Sequence, residues 1–216
     1  RGRLIGINTA ILSGGFGGGN DGIAFAVPTR IMMFVVDQLR AINADADIVL
    51  EPTRRDSGPA VAVAAEMAAR RSPDTVVVVF AADHVVQDRP KLIQHCREAA
   101  EAAAAGSIVT LGIRPTGPAT GYGYIRAGAP LADGSPVRKV EAFVEKPDVA
   151  TAQKYVADGY FWNCGYFVFR ADVMQGELAR FEPAMLEAAQ AAVEGAKVDL
   201  SFLVLDGEAF GRAPKK

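Results

Sequence analysis

VVVVFAADH, residues 76–84, decides the fold. Four valines and a phenylalanine in unbroken succession suit a strand, and the lack of polar alternation means that both faces of that strand are covered. Helices lying on the two sides of a sheet provide such cover. The apolar run gives way to Asp83, so a carboxylate follows the strand's carboxyl end, where α/β sheets present the groups that touch ligands. On these residues alone two roles are open to Asp83: cap of the segment that follows, or ligand of a metal ion. His84 reads as a packed or hydrogen-bonded neighbour rather than a base.

The flanks repeat a strand and helix rhythm. Residues 58–71, GPAVAVAAEMAARR, form an alanine-rich helix with Pro59 in its first turn and Asp56 or Ser57 as cap. Residues 91–105 read as a second helix closed by Gly106, and residues 108–113 as a second buried strand. Between Pro115 and Gly134 prolines and glycines break the chain into short turns and strands, the composition of a rim or lid. A strand over 137–146 stops at Pro147, a short helix covers 150–157, and an aromatic-rich strand covers 160–170. Helices over 172–181 and 183–194 follow. The implied fold class is α/β, a mixed and mainly parallel sheet flanked by helices.

The first residues differ. GRLIGINTAI and IAFAVP, joined by a glycine-rich loop, read as two strands, and helical spacing begins only with RIMMFVVDQLRAI at Arg30. The shift divides the chain into an amino-terminal segment, 1–33, and a main domain, 34–216.

Composition excludes several classes of function. The 216 residues are 50% hydrophobic, enough to bury a sizeable core. With 23 basic and 25 acidic residues the net charge is -2, and no basic stripe is present, which argues against nucleic acid as a partner. No apolar stretch approaches the roughly 20 residues that span a bilayer, so no membrane partner is expected. Cys96 and Cys164 lack metal-ligand spacing, and the reducing cytoplasm is the expected compartment. The chain opens on Arg1 and stops at Lys216 without a closing signal, and reads as a piece of something longer.

Four further groups of residues have chemistry open to them. Gly121 and Gly123 flank Tyr122, a pattern that serves a hairpin turn or lets backbone amides and an aromatic ring approach a ligand. Glu145 and Lys146, before Pro147, put a hydrogen-bond acceptor for hydroxyls beside a cation for phosphate; exposed pairs of this kind are also ordinary solvated surface. Asn163 is an amide on an apolar strand and needs a partner, either a ligand hydroxyl or a neighbouring backbone group. Arg55 precedes the helix over 58–71, whose amino terminus favours anions.

Taken in order and spacing, EPTRRDSGPA from Glu51, AADH from Ala81, TGYGYI from Thr120, VEKP from Val144 and WNCGYF from Trp162 resemble the mannose-1-phosphate guanylyltransferases, over about residues 34–216. The resemblance implies a Rossmann-like nucleotide-diphospho-sugar transferase fold. It also implies transfer of a guanylyl group from GTP to mannose 1-phosphate with Mg2+, a step toward polysaccharide biosynthesis. By the same resemblance Asp83 holds the metal, Lys146 meets the sugar phosphate, Glu145 the mannose hydroxyls, Gly121, Tyr122, Gly123 and Asn163 the sugar, and Arg55 the nucleotide loop.

The match has departures. Asp56 and Ser57 stand where the family has asparagine and threonine. Residues 11–17 copy only the first half of the family's triphosphate-gripping loop, and the chain stops before the family's second metal-binding aspartate. The fold is therefore expected to be incomplete at both ends and the activity impaired, with a non-catalytic sugar-phosphate-binding domain as the alternative. Residues 1–32 resemble a segment of a trypsin-like periplasmic heat-shock serine protease, without the serine, histidine or aspartate of its triad, which suggests a junction near residues 28–34 and, as a further alternative, an inactive protease remnant.

Overall fold

A computed structural model describes residues 5–7, 47–81, 84, 86–200 and 202–215, with backbone alone at 5–7. Asp83, the expected strand IAFAVP and the helical spacing from Arg30 lie outside the described residues. The elements run β1 (Ile5–Ile7), β2 (Ile48–Leu50), α1 (Ser57–Arg71), β3 (Val76–Ala81), α2 (Arg89–Ala104), β4 (Val109–Ile113), β5 (Tyr124–Pro130), β6 (Arg138–Val144), α3 (Val149–Ala157), β7 (Phe161–Arg170), α4 (Ala171–Phe181), α5 (Pro183–Glu194), β8 (Lys197–Asp199), β9 (Phe202–Val204) and α6 (Gly207–Gly211). Capping side chains open α2, α3 and α6. Asp88 accepts a hydrogen bond from the Lys91 N–H at α2, and Asp148 from the Thr151 N–H at α3. Asp56 occupies the N-cap of α1 in extended conformation but makes no side-chain capping bond.

The main sheet has β7 at its centre. β3 and β4 flank the rear of β7, where Val168 faces Val78 on one side and Val109 on the other. Towards its beginning β7 has β5 in place of β3 as neighbour, through Tyr124 opposite Trp162, and β6 extends the sheet beyond β5. β1 pairs with the outer edge of β3, and a second sheet has the order β2-β9-β8.

The α/β class holds, but the sheet is only partly parallel. Among the described pairings β1 with β3 and β2 with β9 are parallel, while those of β7 with β3, β4 and β5 are antiparallel. An uninterrupted apolar run reports cover on both faces, not the direction of the neighbour. Because β7 inserts between β3 and β4, these two strands share a direction without touching, and the helix connecting them crosses over a strand that comes later in the sequence.

The cover that the valine run demands is present. Val77 and Val79 pack with Ala65 and Ala68 of α1 on one face, together with Phe169. On the other, Val76 and Val78 pack against the cluster of Ala99, Ala102 and Ala103 of α2 with Val109 and Val168. The alanines let the helices approach closely. The opposite side of α1, with Ala62 and Val63, meets Met185, Ala189 and Ala192 of α5 and Phe210 of α6. One buried charge crosses these layers: Glu66 of α1 accepts hydrogen bonds from Arg70 Nε at 2.6 Å and from Gln175 Nε2 of α4 at 2.7 Å, so its ionised form has partners.

Candidate functional site

Where β7 exchanges one neighbour for another its edge opens. β3 pairs with β7 only from Arg170 back to Phe167, and β5 only at Trp162 and Phe161. Between them, β7 also slips against β4: Thr110 faces Phe167 but Gly112 faces Asn163, so the stretch from Cys164 to Tyr166 bulges opposite Leu111 alone. Gly165 makes this possible with φ of 73°, a left-handed conformation that costs residues with a Cβ roughly 1–2 kcal/mol. The Cys164 thiol fastens the bulge by donating to the Leu111 carbonyl at 3.1 Å, and burial raises that thiol's pKa.

The bulge sets Asn163 on one wall of an open groove of 1550 Å³. Gly121, Tyr122, Gly123, Glu145 and His84 line the same groove. Two backbone bonds lace the glycine segment between its neighbours: Asn163 N–H donates to the Gly123 carbonyl at 2.8 Å, and Lys146 N–H to the Tyr122 carbonyl at 3.2 Å. Gly123 is the point of convergence. A Cβ there would lie 2.6 Å from Glu145 Oε2 and 3.4 Å from Asn163 Cβ, so any larger residue would push into the carboxylate.

Individual side chains follow from these constraints. The Asn163 oxygen accepts from Thr110 Oγ1 at 3.0 Å and from the Gly165 N–H at 3.2 Å. Tyr122 is half-exposed, its ring centre 5.0 Å from that of Trp162. Trp162 is half-buried and lines the groove, and its indole Nε1 is buried without a partner among the described residues. His84 Nδ1 lies 3.1 Å from the Tyr166 hydroxyl, so the residue after Asp83 is tied to the bulge.

Lys146 adopts φ of 46°, a costly conformation for a side-chain-bearing residue. Its ammonium pairs with Glu145 Oε1 at 3.6 Å, both side chains being more than half exposed. Screening by solvent makes such a pair worth little for stability.

Of the expected site residues, Gly121, Tyr122, Gly123, Glu145 and Asn163 come together, and Lys146 adjoins them without lining the groove. Arg55 is elsewhere: its guanidinium donates to the Gly211 carbonyl at the end of α6 and, at 3.3 Å, to the Arg54 carbonyl. Asp83 follows β3 but lies outside the described residues. No cluster of three metal-ligating side chains occurs among the described residues, and none of their helices is long and apolar enough to cross a membrane. Thr110 was missed by sequence reasoning, although a hydroxyl inside the apolar run IVTLGI is a visible signal.

Known proteins resemble this arrangement over most of the chain. A family model described as nucleotidyl transferase matches residues 20–207, starting inside the expected amino-terminal segment. A xanthan biosynthesis protein, XanB, of Xanthomonas campestris pv. campestris strain B100 is 49% identical over 168 residues, covering 77% of this chain and 35% of its own length. A mannose-1-phosphate guanylyltransferase of Escherichia coli K12 is 44% identical over 188 residues, covering 84% of this chain and 39% of its own. The crystal structure of a mannose-1-phosphate geranyltransferase from Thermus thermophilus superposes with a TM-score of 0.70 at 34% identity, over 83% of this chain and 50% of that one. The chain thus spans well under half the length of these curated relatives, and the protease resemblance of residues 1–32 has no counterpart among these matches. With the family model covering nearly the whole described fold, the chain belongs to the nucleotidyl transferase family.

Proposed function

We propose that the groove binds mannose 1-phosphate and that the chemistry it serves is guanylyl transfer from GTP, giving GDP-mannose and pyrophosphate. The observation that carries this reading is the convergence of Glu145 and Asn163 on Gly123, which puts an acceptor and an amide beside a position free of side chain. A hexose offers hydroxyls to such a pair, and the Tyr122 ring can lie against the apolar face of the sugar. Similarity to mannose-1-phosphate guanylyltransferases across the same residues supports the choice of sugar and base.

In this reaction a phosphate oxygen of mannose 1-phosphate attacks the α-phosphorus of GTP, the bond from that phosphorus to the bridging oxygen breaks, and pyrophosphate leaves. Two polyanions have to be aligned, and positioning together with charge neutralisation supplies most of the acceleration. Glu145 and Asn163 would fix the sugar, and Lys146 would pair with its phosphate, which gives a purpose to its costly φ. Asp83 would be the carboxylate of a magnesium site, a hard cation that prefers carboxylate, phosphate and water oxygens to the sulfur of Cys164. Magnesium would neutralise charge on the phosphates. Arg55 would serve the nucleotide by holding the loop before α1 against α6 rather than by direct contact.

The two free cysteines and the phosphorylated substrates fit the cytoplasm. A segment of separate ancestry enters this proposal only ahead of the family match, as residues 1–19, of which residues 5–7 pair with β3 as β1. Pyrophosphate release from GTP, followed with mannose 1-phosphate, with glucose 1-phosphate and with no sugar, tests the function. Release that depends on mannose 1-phosphate is expected; a chain that neither releases pyrophosphate nor binds mannose 1-phosphate in a titration overturns the reading.

A further inference from the structure

We infer that Thr110 is a positioning residue of the groove: its hydroxyl fixes the Asn163 carboxamide with the oxygen turned inward, so that Asn163 meets the sugar phosphate only as a hydrogen-bond donor. The inference rests on the proposed function and adds a residue to its site. The Gly165 N–H, 3.2 Å from the carboxamide, can only donate, so the atom facing it is the oxygen. Thr110 Oγ1, 3.0 Å from that same oxygen, then acts as donor as well, and both lone pairs of the oxygen are engaged.

The amide nitrogen carries the two remaining hydrogens and has no partner among the described residues, on a side chain that lines the groove. Acceptors suited to it are hydroxyl and phosphate oxygens. Ionised Glu145, on the other side of Gly123, offers acceptors and no donor. The two side chains therefore present opposite hydrogen-bonding character to a ligand, and a polyol with a phosphate satisfies both. Packing does not call for Thr110, since valine would fill the same volume in a strand whose other members are apolar or glycine. What threonine adds is the hydroxyl.

Binding of mannose 1-phosphate with magnesium present, measured by calorimetry on the full chain, tests this together with the Asn163 side-chain amide signals in a nitrogen-15 spectrum. Thr110→Val should weaken binding about fivefold, the worth of one neutral hydrogen bond, and should shift the amide signals, while Thr110→Ser should restore both. Asn163→Asp keeps the inward acceptor but exchanges the free donor for a charged oxygen, and should weaken binding more than tenfold. Unchanged binding in Thr110→Val overturns the inference and leaves the proposed function standing. Equal loss in the serine variant also overturns it, because the methyl group rather than the hydroxyl would then matter. Absence of binding in the parent chain overturns the proposed function and this inference together.

Discussion

The two halves of β7 have different surroundings although they belong to one continuous strand. Val168 and Phe169 are fully buried between the helices α1 and α2, with β3 and β4 on either side. Five positions earlier Asn163 lines an open groove, and a glycine in left-handed conformation separates it from the buried half. Rigid packing at one end thus holds a bulge at the other. A bulge in a freely solvated strand would wander, whereas one anchored by a close-packed core has a single geometry.

Substitutions can break either half separately. Phe169→Ala removes a ring with no solvent exposure and should cost about 3–5 kcal/mol in urea unfolding, while the molecules that remain folded still bind mannose 1-phosphate normally. Loss of binding at unchanged stability would contradict the division between the halves. Gly165→Ala comes next. A Cβ there meets no atom within 4 Å, so the cost is that of φ alone, about 1–2 kcal/mol, but relaxation of the bulge should displace Asn163 and weaken sugar-phosphate binding disproportionately. Proportionate small losses in both would mean that the bulge does not set the site.

Lys146→Gly should act in opposite directions on the two properties. Relief of φ should add up to about 1 kcal/mol of stability, offset in part by the flexibility of glycine in the unfolded chain, while affinity for the sugar phosphate falls. A variant of lower stability would show that Lys146 holds its conformation without strain. The smallest effect belongs to the far end of the buried half, where hydrogen bonds from Arg170 hold the Asp172 carboxyl below its usual 3.8. A depressed folded-state pKa stabilises above the unfolded value and loses that contribution as pH falls through the folded one. Asp172→Asn should therefore flatten the acid limb of stability below about pH 4 and leave the groove's affinity unchanged.

Element identity was readable wherever periodicity or caps spoke directly. The valine run, the alanine-rich helix before it, Pro183 at the start of α5 and Gly159 after α3, with φ of 78°, all stand where local rules put them. The short strands β2, β8 and β9 were not read, since three residues are too few to display a period of two. At the site, Gly123, Glu145 and Asn163 stood out because each is a residue type at odds with its neighbours. Trp162 and Thr110 did not, because an aromatic and a threonine are at home in any strand.

Sequence by itself determined the α/β class, the cover on both faces of β3 and the residue types from which a sugar-phosphate site can be made. Those features depend on the order of apolar and polar groups, which local physics reads directly. Strand direction, the insertion of β7 between β3 and β4, the turning of Arg55 toward α6 and the inward oxygen of Asn163 were decided only by tertiary structure. Each depends on which distant segment arrives alongside, and that choice is made by the packing of the whole core rather than by any window of the chain.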